Sequence, residues 1–390
     1  MLTPQFQHDR MARYLQEPLS RRLFDEIRAA GPVRSVQIDI THRCNIRCKG
    51  CYFFAEGMDQ REAPKEEEAF DAFIEREKAR GTNYVTVVGG EPSMMLGRLK
   101  KIYDNFWMVV VTNGIRKIPY EGFENLAIAV SVWGDHETDK NLRGSGKIDV
   151  FARGLANYKD DRRAAWYYTL TPGNAHEIES VVTQCVENGN FVGFNFYGDI
   201  ANLGGDLDQR RGFGEVCERL DRMIELYPHR ILSSSYLAHT VATGKLMDNQ
   251  WGFDVCCTLS GDKEKNRERM ANGKASNPHF RVYNPDLETT RVCCRSEKYD
   301  CENCYDTWAH MAWIMANVED HLGSESDFVN WLSTMYMFYL ANRIIEFERG
   351  VELLPAIHQR LADWRRRGQW GLPATPPNRE EIAQLVYESL

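Results

Sequence analysis

No stretch of this chain stays apolar for the roughly 18 residues that a membrane-spanning helix needs. The nearest approach, residues 328–340, is interrupted by Asn330, Ser333 and Thr334, so no membrane span is expected. An excess of positive charge is missing as well. The 390 residues carry a formal net charge of −8, which disfavours a nucleic-acid groove. The first ten residues contain no apolar signal-peptide core, and the expected location is cytoplasmic. Internal repeats and low-complexity tracts are absent, which sets aside solenoids and propellers. What remains is an ordinary globular composition, 43% hydrophobic and 27% charged.

Cysteine is what the chain does have. There are 11, and they are not scattered. Cys44, Cys48 and Cys51 form one cluster; Cys256, Cys257, Cys293, Cys294, Cys301 and Cys304 form a second; only Cys185 and Cys217 stand apart. In a long chain without an export signal, such clustering points to metal or redox chemistry rather than disulfides.

Residues 1–33 read as helical and polar, closing at Gly31 and Pro32. From Ser35 short apolar runs at 35–40, 84–88, 107–111, 126–132, 166–170 and 191–197 read as strands. Amphipathic stretches at 65–80, 150–158 and 175–188 read as helices between them. Near-continuous apolar strands separated by helices predict an α/β fold with a parallel, helix-covered sheet. Periodicity leaves open whether the sheet is doubly wound or barrel-like. In both cases functional residues belong at the carboxyl ends of the strands. Beyond about 205 the pattern changes: a helix near 213–226, a charged loop or lid at 261–277, a β-hairpin at 280–292 and helices from Asp306 onward.

The first cluster follows directly on the first strand. Thiolates are the usual iron–sulfur ligands, and three at C-x3-C-x2-C spacing hold three corners of a 4Fe–4S cube. The fourth iron is left open as a substrate site, as an open position marks catalytic zinc. The competing reading is structural zinc with His42 as fourth ligand.

This motif after a first strand resembles the signature of the radical S-adenosylmethionine (SAM) superfamily. The resemblance covers residues 34–215 and implies a partial (β/α)6 TIM-like barrel. It also implies a SAM-binding 4Fe–4S cluster on Cys44, Cys48 and Cys51, whose open iron chelates the amino and carboxylate groups of SAM. Gly89, Gly90, Glu91 and Pro92 end the second strand and are similar to the family's G-G-E-P segment, which binds the SAM amino group. Thr112, Asn113 and Gly114 end the third strand as a T-N-G turn does in relatives. Ser131 closes the fourth and Arg143 follows; similar positions in relatives hold the SAM carboxylate and ribose. Relatives often place an aromatic or large apolar residue before the third cysteine for adenine, whereas here Gly50 precedes it and Tyr52 follows.

The second cluster resembles the auxiliary-cluster region of SPASM or twitch enzymes, with a hairpin between early ligands and a C-x2-C after it. Leu287 stands where those hairpins usually carry glycine. The resemblance implies one auxiliary 4Fe–4S cluster. Neighbouring residues of an extended chain face opposite ways, so one cysteine of each pair is expected to ligate. The expected set is Cys257, Cys294, Cys301 and Cys304, with Cys256 and Cys293 as substitutes and zinc on the same thiols as the alternative.

Other residues carry weaker signals. Tyr197 and Asp199 end the sixth strand and are read as substrate contacts or a solvated strand end. His136 and Glu137 are read as an exposed loop, Cys217 as a core cysteine, and the aromatics between Trp331 and Tyr339 as core packing. Arg365, Arg366 and Arg367, between Trp364 and Trp370, are read as a solvated helix end. The expected division is an N-terminal helical extension (1–33), a radical SAM core (34–215), the barrel end with the auxiliary region (216–310) and a C-terminal helical region (311–390). The expected activity is reductive cleavage of SAM to a 5′-deoxyadenosyl radical that takes hydrogen from a small metabolite or natural-product intermediate. An external one-electron reductant such as flavodoxin or ferredoxin would serve it. Modification of a ribosomal peptide and a non-catalytic electron-transfer scaffold are the alternatives.

Overall fold

Two helices open the chain in the computed structural model, which describes residues 4–198, 213–242, 258–264, 266, 278–297 and 304–369. They are α1 (Pro4–Tyr14) and α2 (Pro18–Ala30). Pro18 sits in the first turn of α2, where its missing N–H costs nothing, and the Glu17 side chain caps the N–H groups of Leu19 and Ser20. Gly31 ends the helix at φ 81°, a conformation that glycine reaches without strain.

Then come β1 (Ser35–Asp39), a short α3 (Tyr52–Ala55), α4 (Glu67–Ala79), β2 (Tyr84–Val88), α5 (Leu96–Tyr103) and β3 (Trp107–Thr112). They are followed by β4 (Ala127–Val132), α6 (His136–Leu142), α7 (Val150–Asn157), β5 (Ala164–Leu170), α8 (Ile178–Glu187) and β6 (Phe191–Phe196). The remainder comprises α9 (Gly214–Leu226), α10 (Ser235–Ala242), β7 (Val282–Tyr283), α11 (Thr307–Ala316), α12 (Glu325–Ala341), α13 (Phe347–Val351) and α14 (Leu354–Arg366).

The seven strands form one parallel sheet in the order β6-β5-β4-β3-β2-β1-β7. The first six are neighbours in sequence order. A doubly wound sheet would reverse direction at a switch point, so the winding is barrel-like and open. The seventh strand, two residues of the hairpin laid against Gln37 and Ile38, extends the six-unit expectation by one edge.

Register sorts the side chains onto two faces. Asp39 pairs with Val88, Val111 with Ala129, Ser131 with Tyr167 and Thr169 with Asn195. Alternation therefore puts Thr86, Val88, Val111, Ser131, Tyr167 and Asn195 on one face. All six are half-buried, while their outer-face neighbours such as Val87, Val110, Val130 and Trp166 are buried. The outer face packs on the connecting helices; Trp166 meets Phe151 of α7 edge-on at 5.3 Å.

The inner face is covered along its amino-terminal half by the C-terminal helices. Tyr84 packs on Phe338 at 5.8 Å and its hydroxyl donates to Asn342. Tyr167 stacks on Trp308 at 6.2 Å. Between Phe328 and Leu340 every residue of α12 is buried except Met335. A helix apolar on all sides must be enclosed, so core packing is the role of that aromatic run.

Two smaller expectations change. His136 and Glu137 open helix α6, because the Asp135 side chain caps Glu137 and Thr138. Arg365 reaches the buried Asp221 at 2.5 Å, so the helix end it belongs to is anchored rather than simply solvated. Leu287 adopts φ 61° in the hairpin, the glycine-like conformation that its place in the turn demands, and its side chain is buried. Asp199, Cys256, Cys257, Cys301, Trp370 and most of the 261–277 stretch lie outside the described residues.

Candidate functional site

The loop from β1 to α3 carries the first three cysteines. Several contacts hold it in place. The Lys49 N–H donates to Leu142 O at 2.7 Å, the Glu91 N–H to Arg43 O at 2.8 Å, and Asn113 Nδ2 to Asn45 Oδ1 at 2.6 Å. Cys51 is the N-cap residue of α3.

Cys44, Cys48 and Cys51 are each partly accessible. Burial pushes the Cys44 thiol up to about 11 and the Cys48 thiol up to about 12, where Arg143 opposes the rise. Cys51 is raised for the same first reason. Each is pushed further by another of the three: Cys48 acts on Cys44, Cys51 on Cys48 and Cys44 on Cys51. The thiols thus share one neighbourhood. Among the described residues no three such groups converge on a single-ion position. Three thiols in one loop are a donor set that fits three corners of an iron–sulfur cube. His42 Nδ1 already accepts the Ala63 N–H at 3.0 Å.

The glycines beside this loop have no room for a side chain. Gly89 has φ 79° and a Cβ there would lie 2.3 Å from Asp39 Cβ. Gly90 has φ 40° and its Cβ would lie 2.0 Å from the Arg43 carbonyl oxygen. Glu91 is buried, and its carboxylate accepts from Ser93 N at 2.9 Å, Thr112 Oγ1 at 2.6 Å and Asn113 N at 2.8 Å. It therefore ties the end of β2 to the T-N-G turn at the end of β3. Pro92 starts the short 3-10 turn Pro92–Met94 that follows.

Ser131 lies on the inner face at the end of β4. Arg143 is buried, with Nη1 donating to Ser131 O at 2.7 Å and Asp139 Oδ2 at 2.9 Å, and Nη2 to Asn113 O at 3.2 Å. Burial alone would lower its pKa, but Asp139 and Cys48 more than offset this and hold the guanidinium charged. Arg143 joins the ends of β3 and β4 beside the cysteine loop. Asp139 also accepts the Trp133 N–H at 2.9 Å; its i, i+4 spacing from Arg143 on α6 was the signal that could have flagged it. Tyr197 packs on Trp133 at 5.4 Å and its hydroxyl donates to Gly50 O at 3.2 Å.

Of the second cluster, Cys293, Cys294 and Cys304 are described. Arg295 feels all three together with Asp306. Burial raises Cys304 to about 12, whereas a hydrogen bond with Cys294 holds Cys293 below its usual value. Cys294 is bolted to the sheet: its carbonyl accepts from Gln37 Nε2 at 2.9 Å and Arg291 Nη2 at 3.1 Å. Arg291 in turn pairs with Asp39, the last residue of β1, both fully buried. Tyr52, next to Cys51, lies 5.9 Å under the Arg291 guanidinium. This strut was not visible in the sequence, since 252 positions separate its two charges.

The cysteine loop, the G-G-E-P segment, the T-N-G turn, Ser131 and Arg143 thus gather at the carboxyl ends of β1 to β4. A cavity of about 1010 Å³ lies at the opposite end of the strands, lined by Trp107, Arg162, Arg163 and Arg343 among others. Catalytic groups on such sheets belong at the carboxyl end, so that cavity is not the candidate active site.

No family profile matches this chain. A stretch of 156 residues is 28% identical to Fe-coproporphyrin III synthase of Methanosarcina barkeri, covering 37% of this chain and 38% of that protein. The matched part is well under half of the relative's length. Among solved structures, anSMEcpe with bound AdoMet aligns with a TM-score of 0.46 and 16% identity, over 67% of this chain and 74% of the other. Streptococcus suis SuiB bound to S-adenosylmethionine aligns at 0.39 and 16%, over 74% and 68%. Both of these solved structures hold S-adenosylmethionine. The parallel, barrel-like sheet is the α/β architecture that the alternation of strands and helices predicted. Among the described residues no helix is long and apolar enough to cross a membrane.

Proposed function

We propose that this chain binds a 4Fe–4S cluster on Cys44, Cys48 and Cys51 and cleaves SAM reductively to attack a small-molecule substrate. One observation carries the reading. Two side-chain-free residues are pressed against the backbone that leads into three neighbouring thiols, and the buried carboxylate after them ties that contact to the T-N-G turn. An ordinary turn needs no such arrangement. When bound, the cluster supplies the electron that splits SAM into methionine and a 5′-deoxyadenosyl radical, the electron coming from a flavodoxin- or ferredoxin-type donor.

The chain's own residues do the positioning. Glu91 holds the ends of β2 and β3 together, so that Gly89, Gly90 and Asn113 present a preformed surface beside the thiols. Arg143 locks the end of β4 to that surface, and its charge favours thiolate at Cys48. Ser131 faces the same space from the inner side of β4. Tyr197 fixes Gly50, and with it the third cysteine, while its ring and Trp133 form an apolar wall that keeps water back. An auxiliary cluster on Cys294 and Cys304, with Cys257 and Cys301, is part of this proposal. The Asp39–Arg291 strut supports it by joining that region directly to β1.

The test is anaerobic reconstitution with iron and sulfide, reduction with dithionite, and measurement of 5′-deoxyadenosine. Formation of 5′-deoxyadenosine that disappears in Cys48→Ala supports the proposal. Intact SAM in the presence of a fully loaded, reduced cluster refutes it.

A further inference from the structure

A second cavity, of about 360 Å³, opens at the side of the barrel between β1, β2 and the helices α11 and α12. Its sheet wall is the inner face: Gln37 of β1 and Tyr84 and Thr86 of β2. Its helical wall is Met311, Met315 and Met335 with Trp308 and Phe338. Pro32 and Val33 border it at the amino ends of the strands, and Cys294 borders it toward the carboxyl ends.

Three features of this cleft point to a ligand. First, among the described residues no Asp, Glu, Lys, Arg or His lines it, although 27% of the chain is charged. Among the described lining residues a charged group entering it would meet no countercharge, at the cost of its hydration. Second, part of its apolar wall is left half-open beside the buried Met311, Phe338 and Tyr339. Met335 is the one half-buried residue in the otherwise buried 328–340 run, and Ala312 and Met315 are half-buried on the facing helix. Methionine adapts its shape and makes polarisable contacts with rings, which suits a wall that must close on an apolar body. Third, the cleft is bordered by Cys294 and lies on the same two strands whose carboxyl ends carry the candidate site. Thr86 stands three residues before Gly89, roughly 10 Å along an extended strand. Gln37 holds the Cys294 carbonyl and lies two residues before Asp39.

We infer that this lateral cleft receives the uncharged, apolar body of the substrate, which is therefore a largely neutral small molecule with a ring or branched hydrocarbon portion. The inference rests on the proposed radical SAM reading for its reaction, but on the cleft alone for its ligand class. Entry is from the side, between β1 and α11. The half-buried Thr86 on the wall orients the ligand by a hydrogen bond, while the methionines supply affinity.

The test uses the reconstituted holoenzyme and the neutral fluorophore N-phenyl-1-naphthylamine. Wild type is expected to bind one probe per chain with enhanced, blue-shifted emission. Met311→Glu, which puts a charge into the cleft, should weaken that binding at least tenfold. Ala312→Phe, which fills the cleft without charge, should do the same, and the volume-conserving Met311→Leu should change it less than threefold. Circular dichroism and iron content identify any variant that fails to fold, and either of the first two changes suffices alone. Equal probe binding by well-folded wild type and both disruptive variants overturns the inference, as does no binding by wild type. 5′-Deoxyadenosine formation is read in parallel on wild type. SAM cleavage without probe binding sinks the cleft and leaves the radical reading standing. Probe binding without SAM cleavage sinks the radical reading, and with it the cleft's assignment to that reaction's substrate.

Discussion

Replacing Gly90 by alanine tests the contact on which the site depends. At φ 40° a new Cβ would lie 2.0 Å from Arg43 O and 2.9 Å from Thr41 O, both backbone atoms of the segment leading to Cys44. Neither is the flexible end of a side chain, so the segment itself must move. A left-handed conformation costs an L-residue about 1–2 kcal/mol, and forcing an extra methyl into a packed site costs about 1–3 kcal/mol more. The sum, roughly 2–5 kcal/mol, is released only if the loop withdraws from the G-G-E-P segment. Even the lower figure lowers the population of the docked loop about 30-fold, since 1.4 kcal/mol is tenfold. The assay is SAM affinity of the reconstituted protein by equilibrium dialysis, with iron per chain measured on the same sample. The control is Gly97→Ala. That glycine is exposed in helix α5, and nothing lies within 4 Å of an added Cβ. It should leave SAM binding unchanged and the helix slightly more stable. Gly90→Ala with wild-type affinity and full iron would show that the close approach is not needed to form the site.

Three further outcomes are expected. Glu91→Ala removes the acceptor of Thr112 Oγ1 and of two N–H groups. At about 1–3 kcal/mol per group left unsatisfied, it should lower stability in urea by at least about 3 kcal/mol, and a loss below 1 kcal/mol would mean the three bonds do not persist. Burial holds the His358 imidazole down at about 4 while it donates to Ile231 O. Below the ordinary value near 6.5 the unfolded chain takes up a proton that the folded chain refuses, so stability is full above about 6.5 and declines as pH falls toward 4. This group should contribute a loss of about 2 kcal/mol between pH 7 and pH 5, absent in His358→Gln; identical pH profiles of wild type and variant would contradict it. Reconstitution should load roughly eight irons per chain, two 4Fe–4S clusters, and Cys304→Ala should remove about half. About four irons in wild type would exclude the auxiliary cluster, and zinc at the C-terminal cysteines would replace it with a structural site.

Much of the site is legible along the chain because its determinants are local. The strands show as β-branched apolar runs, and the loop after β1 shows as three cysteines within eight residues. Gly89 and Gly90 are written where positive φ and a backbone contact leave no alternative residue. The sheet order was open to two readings, because periodicity reports burial but not which strands are neighbours. Register decided it, by pairing each of the first six strands with the next in sequence.

Arg143 marks the boundary of what spacing reveals. Its place after the fourth strand is a sequence property, but its engagement with Asp139, Ser131 O and Asn113 O exists only once three strand ends converge. The pairing of Asp39 with Arg291 is further removed, because a buried charge carries no local sign of the partner that neutralises it. Leu287 shows the opposite case: a residue type that argues against a left-handed turn is held in one by the burial of its own side chain. The lateral cleft was wholly hidden, since it is the space left between an inner sheet face and two helices that lie more than two hundred residues later in the chain. The amino-acid sequence by itself determined the cysteine loop and the α/β alternation, because each follows from residues close in sequence. Which charges meet, which face the helices cover and what space they leave were decided by long-range packing alone.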